Sequence, residues 1–465
     1  MRRKQIYLRA LVVLISALFA CGCSSLSTRT GFYEPIVEDL RAGEYDSAVV
    51  QIELAREKNK YAEKDRFLYY FDLGLAHHYA GNYELSNKWL SEAEHAAEEL
   101  FTKSISRAAA SLLLNDNILE YAGEDYEVLY TNLFKALNYL QLNRFDDAFV
   151  EIRRANLKLE LLEMKYAEAA DQIREKMRAD SGAVDFDYDF EKVRFNNSAF
   201  ARYLSMHLYA ADGLYDDAEL DYNLFREAYL TQPHVYEFDP PEISFTTDQD
   251  GLVSVVAMTG MAPVKEALNL RIRTDKDLDL VQVLYDDAEN EAEYGHVYLP
   301  ISEDYYFKFA IPQIVYRPGR VSQIVVLADD EKIGRLQLLE DVGSVARETF
   351  EAKKSIIYFR SLVRAIVKGL AAHELKEKAD TGGLEGWLKK AAIDIGTDLI
   401  ENADLRGSRL LPGEIYAGDF SIAEGEYDLK INFLDHDGNL IAQKRIHDYR
   451  IDAGRLCLIN AVCLK

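Results

Sequence analysis

A short segment recurs four times in the first half of the chain. It reads Gly43-Glu-Tyr-Asp-Ser-Ala48, Gly81-Asn-Tyr-Glu-Leu-Ser86, Asn143-Arg-Phe-Asp-Asp-Ala148 and Gly213-Leu-Tyr-Asp-Asp-Ala218. Each copy has Gly or Asn, an aromatic residue two on, and a small residue five on. Gly and Asn tolerate left-handed backbone, so each copy marks a turn between two helices. The aromatic is expected to pack back on its pair, and the small residue to let the two helices approach. Apolar and small residues follow at helical spacing: Ile52 and Ala55, Leu90 and Ala93, Ile152 and Ala155, Tyr222 and Phe225. The turns lie 38, 62 and 70 residues apart. The two wide intervals are close to twice a repeat of ~34 residues. Gly123-Glu-Asp-Tyr126, in the first wide interval, reads as a degenerate fifth turn; the second holds a long helix from Leu157 to Arg178 and a polar insert.

Tyr70, Leu73, Gly74 and His77 stand upstream of Gly81. Together with the turns they resemble the tetratricopeptide (TPR) pattern of large and small residues, which implies a solenoid with a concave groove. Such arrays bind extended peptides or partner helices. Leu112-Leu-Leu-Asn-Asp-Asn117, Tyr121-Ala-Gly-Glu-Asp-Tyr126 and Lys135-Ala-Leu-Asn-Tyr-Leu140 resemble a family of bacterial TPR-containing outer-membrane lipoproteins. So do Ile314-Val-Tyr-Arg-Pro318, Leu339-Glu-Asp-Val342, Tyr358-Phe-Arg360 with Arg364 and Lys368, and Ala403-Asp-Leu-Arg406 before Leu411-Pro412. The resemblance covers nearly all of the chain after the first 20 residues, and implies a role near activators of cell-wall synthases. Gly407-Ser408-Arg409 departs from it, where a Ser-Trp pair would be expected.

The N-terminus supports the same placement. Arg2, Arg3, Lys4 and Arg9 precede an apolar run, Leu11 to Phe19, that is too short to span a bilayer comfortably. It ends at Ala20-Cys21-Gly22-Cys23, which resembles a lipoprotein signal with Cys21 as the lipidated residue and Cys23 as the alternative frame. Neither following residue, Gly22 or Ser24, is the Asp that resembles an inner-membrane retention signal. The membrane contact expected is therefore the N-terminal lipid, on an outer-membrane protein facing the periplasm. Removing residues 1–20 takes away four positive charges. The net charge then moves from −25 to −29. A surface this acidic argues against nucleic acid, whose affinity comes mostly from Lys and Arg on phosphates.

Gln232-Pro233 and Asp239-Pro240-Pro241 close the helical half. Strand-like runs follow at Val253–Met258, Leu268–Ile272, Leu280–Tyr285, Tyr306–Ile311, Ser322–Leu327 and Arg335–Leu339. From Gly343 the period becomes helical, with Ile356, Phe359, Val363, Ile366 and Leu370 on one face; Gly382-Gly383 and Gly386 break this into a hairpin. Strands return at Glu414–Phe420, Tyr427–Phe433, Leu440–Arg445 and Arg455–Leu464. The expected fold is α+β and multidomain. A signal (1–20) and a lipidated tether (21–30) lead into a TPR-like α-solenoid (31–236). An antiparallel β domain (237–342), an inserted helical hairpin (343–403) and C-terminal strands that join the β domain (404–465) follow.

Candidate chemistry is sparse. No phosphate-cradling Gly-Lys loop and no Gly-x-Ser-x-Gly elbow is present, and His373-Glu374 lacks a second His four residues on. Asp185, Asp187 and Asp189 alternate with aromatics but lack the Gly and distal Glu of a calcium loop. Asp435-His436-Asp437-Gly438-Asn439 reads as a two-residue Asp-Gly hairpin. No metal, cofactor or catalytic residue is expected. Lys353, Arg360, Arg364 and Lys368 form one helical stripe that is either neutralised internally or docks an acidic partner. Cys457 and Cys463 would lie about 20 Å apart on one extended strand. They can bond only if the chain reverses near Asn460, and otherwise remain free thiols. The function expected is a non-enzymatic envelope scaffold that binds a protein partner through the TPR-like groove. The alternatives are an envelope enzyme acting on glycan, and a structural subunit of an outer-membrane assembly.

Overall fold

The computed structural model describes residues 30–110, 117, 119–181, 192–245, 250–275, 277–278, 280–285, 293–298, 306–374 and 403–465. Cys21 and Cys23, the Asp185–Asp189 run and the second arm of the expected hairpin lie outside the described residues.

The first half is helical and comes in pairs: α1 (Tyr33–Ala42) with α2 (Tyr45–Glu57), α3 (Arg66–Tyr79) with α4 (Tyr83–Ala110), α5 (Asp125–Gln141) with α6 (Phe145–Ser181), and α7 (Ala199–Ala211) with α8 (Tyr215–Thr231). Each pair turns at one of the four recurring segments. Gly43, Gly81, Asn143 and Gly213 have φ of 87°, 78°, 55° and 76°. Every turn closes with the same two hydrogen bonds. Gly43 N–H donates to Leu40 O and Glu44 N–H to Asp39 O, and the other three repeat the pattern. This is the Schellman termination, which satisfies the last carbonyls of the first helix. The small residues five on, Ala48, Ser86, Ala148 and Ala218, are fully buried. The aromatics two on divide: Tyr45 and Tyr83 pack against Tyr79 and His78, whereas Phe145 and Tyr215 are exposed. Gly123 is also left-handed (φ 88°) but opens α5 instead of joining a pair. The long helix expected from Leu157 starts earlier, at Phe145, because it is the second helix of its pair.

The β half has three four-stranded sheets among the described residues. One has the order β12 (Leu456–Cys463), β1 (Gly251–Thr259), β9 (Glu414–Ile422), β8 (Gln337–Asp341). A second is β11 (Leu440–Ile451), β10 (Gly425–Leu434), β6 (Gln323–Ala328), β7 (Glu331–Arg335). The third is β4 (Glu293–Tyr298), β3 (Leu280–Tyr285), β2 (Val264–Asp275), β5 (Tyr306–Val315). Pairing is antiparallel except between β1 and β12, which run parallel. The expected strand Arg335–Leu339 is in fact two, since β7 and β8 belong to different sheets. Helix α9 (Val342–Glu374) follows β8 directly and packs on β5.

Strand β1 shows how the halves join. All nine of its residues are buried, as expected of a strand covered on both faces. Val253, Val255 and Ala257 face the second sheet, in a core with Ile324, Ile431 and Phe433. Val256 and Met258 belong instead to the core of the helices, with Leu339, Leu410 and Ile415. Helices, first sheet and second sheet are three stacked layers.

Candidate functional site

The first helices of three pairs, α3, α5 and α7, face the chain's own β half. Tyr79 of α3 donates to Leu410 O at 2.8 Å. His78 bridges Asn138 of α5 at 2.6 Å and Asn460 of β12 at 2.7 Å; burial lowers its pKa to about 4, so it is the neutral imidazole.

The segment 404–412 crosses this face as a clasp. Arg406 is buried, with two nitrogens on Asp404 at 2.9 and 2.7 Å and Nη1 on Asp65 at 2.6 Å. Its guanidinium lies over the Tyr121 ring at 5.2 Å. Two residues on, Ser408 Oγ donates to Asp72 at 2.6 Å and Ser408 N–H to Glu127 at 2.6 Å. Burial pushes Asp72 up to about 7, against the donors Ser408, Tyr33 and Tyr61. Glu127 is raised by burial and by the charge of Glu124. Burial opposes ionisation of Glu124, yet Lys265 (2.7 Å) and Lys353 (2.9 Å) draw it down to about 2.

Two further clusters tie helices to strands. Glu340 of β8 accepts from Tyr130 (2.6 Å), Ser198 (2.8 Å), Tyr236 (2.8 Å) and the Phe200 amide (3.2 Å). Burial raises its pKa despite these donors. Asp419 of β9 accepts from Ser254 at 2.6 Å and from His207 Nε2 at 3.0 Å. This set has the members of a nucleophilic triad in the wrong order. The carboxylate sits between Ser and His, so the imidazole cannot take the hydroxyl proton. His207 Nδ1 is 2.8 Å from Tyr203 O, and the Asp419 charge outweighs burial to raise its pKa. Asp72, Glu127, Glu340 and Asp419 are all sealed inside the protein.

An accessible concavity among the described residues lies elsewhere. A groove of about 410 Å³ opens between α4, α5 and α6. Ala97, Val128, Leu129, Leu159 and Leu162 form its apolar wall, with Leu161 and Met164 as an exposed lip. Its two lysines are already engaged: Lys158 binds Glu94 (2.8 Å), and Lys165 binds Asp125. Glu94 belongs to a buried network with Lys135 (2.8 Å) and Asn132 (2.8 Å) beneath the groove. Burial would raise Glu94, but Lys158 and Lys135 pull it down to about 2.

The residues singled out from sequence fall as follows. The basic stripe is not an outward docking face. Lys353 is paired with Glu124, while Arg360 and Arg364 are buried, Arg364 within 2.9 Å of Ser361. The stripe turns inward because α9 carries its apolar and basic residues on the face packed against β5 and α5. The side chain of Lys368 lies outside the described residues. Cys457 and Cys463 are free thiols. β12 runs straight through both, in register with Val253 and Thr259, so no reversal brings them together. The Asp435–Asn439 turn is a hairpin of five residues, not two; Asp435 caps the Asp437 and Asn439 amides at 3.0 and 2.8 Å. No group of three His, Cys, Asp or Glu suited to a metal occurs among the described residues. Sequence reading missed the clasp chemistry, although Tyr121, Glu124, Glu340, Asp404 and Arg406 all lie in the stretches that carry the lipoprotein resemblance. No family model, curated protein or solved structure matches the chain.

Proposed function

We propose that the protein is a non-enzymatic interaction scaffold of the bacterial envelope, held at the outer membrane by a lipid on Cys21 (or Cys23) and facing the periplasm. Its helix pairs are a TPR-like array whose inner face binds the chain's own β half. Partner recognition is thereby moved to the outer groove between α4, α5 and α6. The observation that carries this is the groove itself: an apolar trough with a solvent-exposed Leu161 and Met164 lip, over a fixed charge network. Such a site takes the apolar side chains of a partner helix or extended segment. The repeated Schellman turns support the array. The non-enzymatic reading is supported by the sealed position of the raised carboxyls, which no substrate could reach. The basic n-region and short apolar run before Cys21 support the tether, and no described helix is long and apolar enough to cross a membrane.

In-cell photocrosslinking tests this. A photoreactive residue at Leu161 should trap one defined envelope protein, and the same residue at exposed Leu220 of α8 should not. Equal trapping at both positions, or none at Leu161, would refute the reading.

A further inference from the structure

Helix α6 carries a second apolar face that its own core does not need. Its core face is Ala148, Ile152, Ala155, Leu159, Leu162 and Tyr166, all buried. The opposite face of such a helix is ordinarily polar. Here Val150, Leu157, Leu161 and Met164 are 45%, 53%, 45% and 52% exposed. Their spacing of seven, four and three keeps them within about 60° of one another on the helix. The stripe runs about 21 Å along the axis.

The charges that bracket the stripe choose its occupant. Exposed Arg153 lies toward its N-terminal end; exposed Glu168 and Asp171 lie beyond its C-terminal end. A two-fold axis between residues 160 and 161 would set Leu157 against Met164, Arg153 against Glu168, and Leu161 beside its own counterpart. The central apolar pair and the Arg153–Glu168 pair are then complementary, while Val150 falls opposite Asp171 at the edge of the contact and Glu160 beside Leu161. A parallel arrangement would set Arg153 against Arg153 and Glu168 against Glu168. The antiparallel contact is self-complementary and closes at two copies.

We infer that the occupant of this face is a second copy of the chain, docked antiparallel along α6. The inference rests on the reading of the α6 lip as a protein-docking surface, since Leu161 and Met164 belong to both.

The test uses the full-length chain. With Leu161→Cys and oxidised glutathione, a species of twice the chain's mass should form and disappear with dithiothreitol. Leu220→Cys should give no more of it than the parent chain. Adding Arg153→Glu should lower the yield about tenfold or more, because like charges then face each other. Adding Glu168→Arg as well should restore it. A yield from Leu161→Cys no higher than from Leu220→Cys overturns the inference, as does a yield indifferent to Arg153→Glu. If Leu161 photocrosslinks a different protein while no disulfide-linked pair forms, the copy inference falls and the docking surface stands. If neither occurs, both fall.

Discussion

Arg406→Met should unfasten the clasp. The substitution keeps side-chain length and removes the cation that Asp65 and Asp404 share at 2.6 and 2.7 Å. Without it Asp65 stays fully buried and Asp404 largely so. Removing one partner of a buried ion pair costs about 3–5 kcal/mol. At ~1.4 kcal/mol per tenfold, opening of the 404–412 segment becomes more frequent by roughly two to three and a half powers of ten. Native-state hydrogen exchange reads this at two amides that hold the segment to β1 and its following turn. Gly413 N–H donates to Thr259 O at 2.9 Å, and Ala262 N–H to Leu411 O at 2.8 Å. The loss also has a sign in pH. Burial opposes ionisation of Asp404, yet Arg406 holds its carboxyl below the usual carboxylate range. In the variant the guanidinium is gone while burial persists, offset only in part by Lys265 and the residue-406 amide, so the carboxyl's pKa moves up. A raised folded-state pKa costs stability as pH rises through it. The defect relative to the parent chain should therefore be largest at neutral pH and shrink as pH falls toward about 4. Exchange that changes less than tenfold, or a defect equal at both pH values, would refute this reasoning.

Three other outcomes follow from particular contacts. Glu340→Gln should cost about 1–3 kcal/mol at neutral pH by disrupting a four-donor site. It should also flatten the pH dependence, since the raised Glu340 carboxyl contributes stability at low pH that is lost as pH rises; urea unfolding across pH checks both. Gly213→Val should cost about 1–2 kcal/mol from backbone alone, because φ is 76° with no neighbour near the added carbon. Asn143→Gly should shift the thermal midpoint by much less. Dithiothreitol should leave thermal stability unchanged with respect to Cys457 and Cys463. Both thiols should alkylate slowly at pH 8, because burial raises their pKa values.

The helix pairs were legible because their turns require left-handed backbone, a demand that few residue types meet. Gly43, Gly81, Asn143 and Gly213 announce it individually. The strands were legible from alternation, and Leu280–Tyr285 matches to the residue. The division between β7 and β8 was hidden, because Arg335 to Leu339 reads as one strand-like run while its two ends pair with different sheets. The clasp was hidden for a different reason. Arg406 meets Asp65 across 341 positions of sequence, and a buried Arg carries no local pattern that distinguishes it from a solvated one. The basic stripe on α9 shows the same limit. Its period revealed that Lys353, Arg360 and Arg364 share a face, but not that the face turns inward. The outer stripe of α6 was overlooked because the core face of the same helix already satisfies the helical period.

The most direct test of the recognition surface is a binding isotherm. The protein trapped from Leu161 is titrated against the parent chain, Met164→Asp, and Leu220→Asp as control. A charge placed on the apolar lip of the contact should weaken binding by about thirtyfold or more, while the control stays within about twofold of the parent. Equal affinities for the parent chain and Met164→Asp would contradict a docking site between α4, α5 and α6.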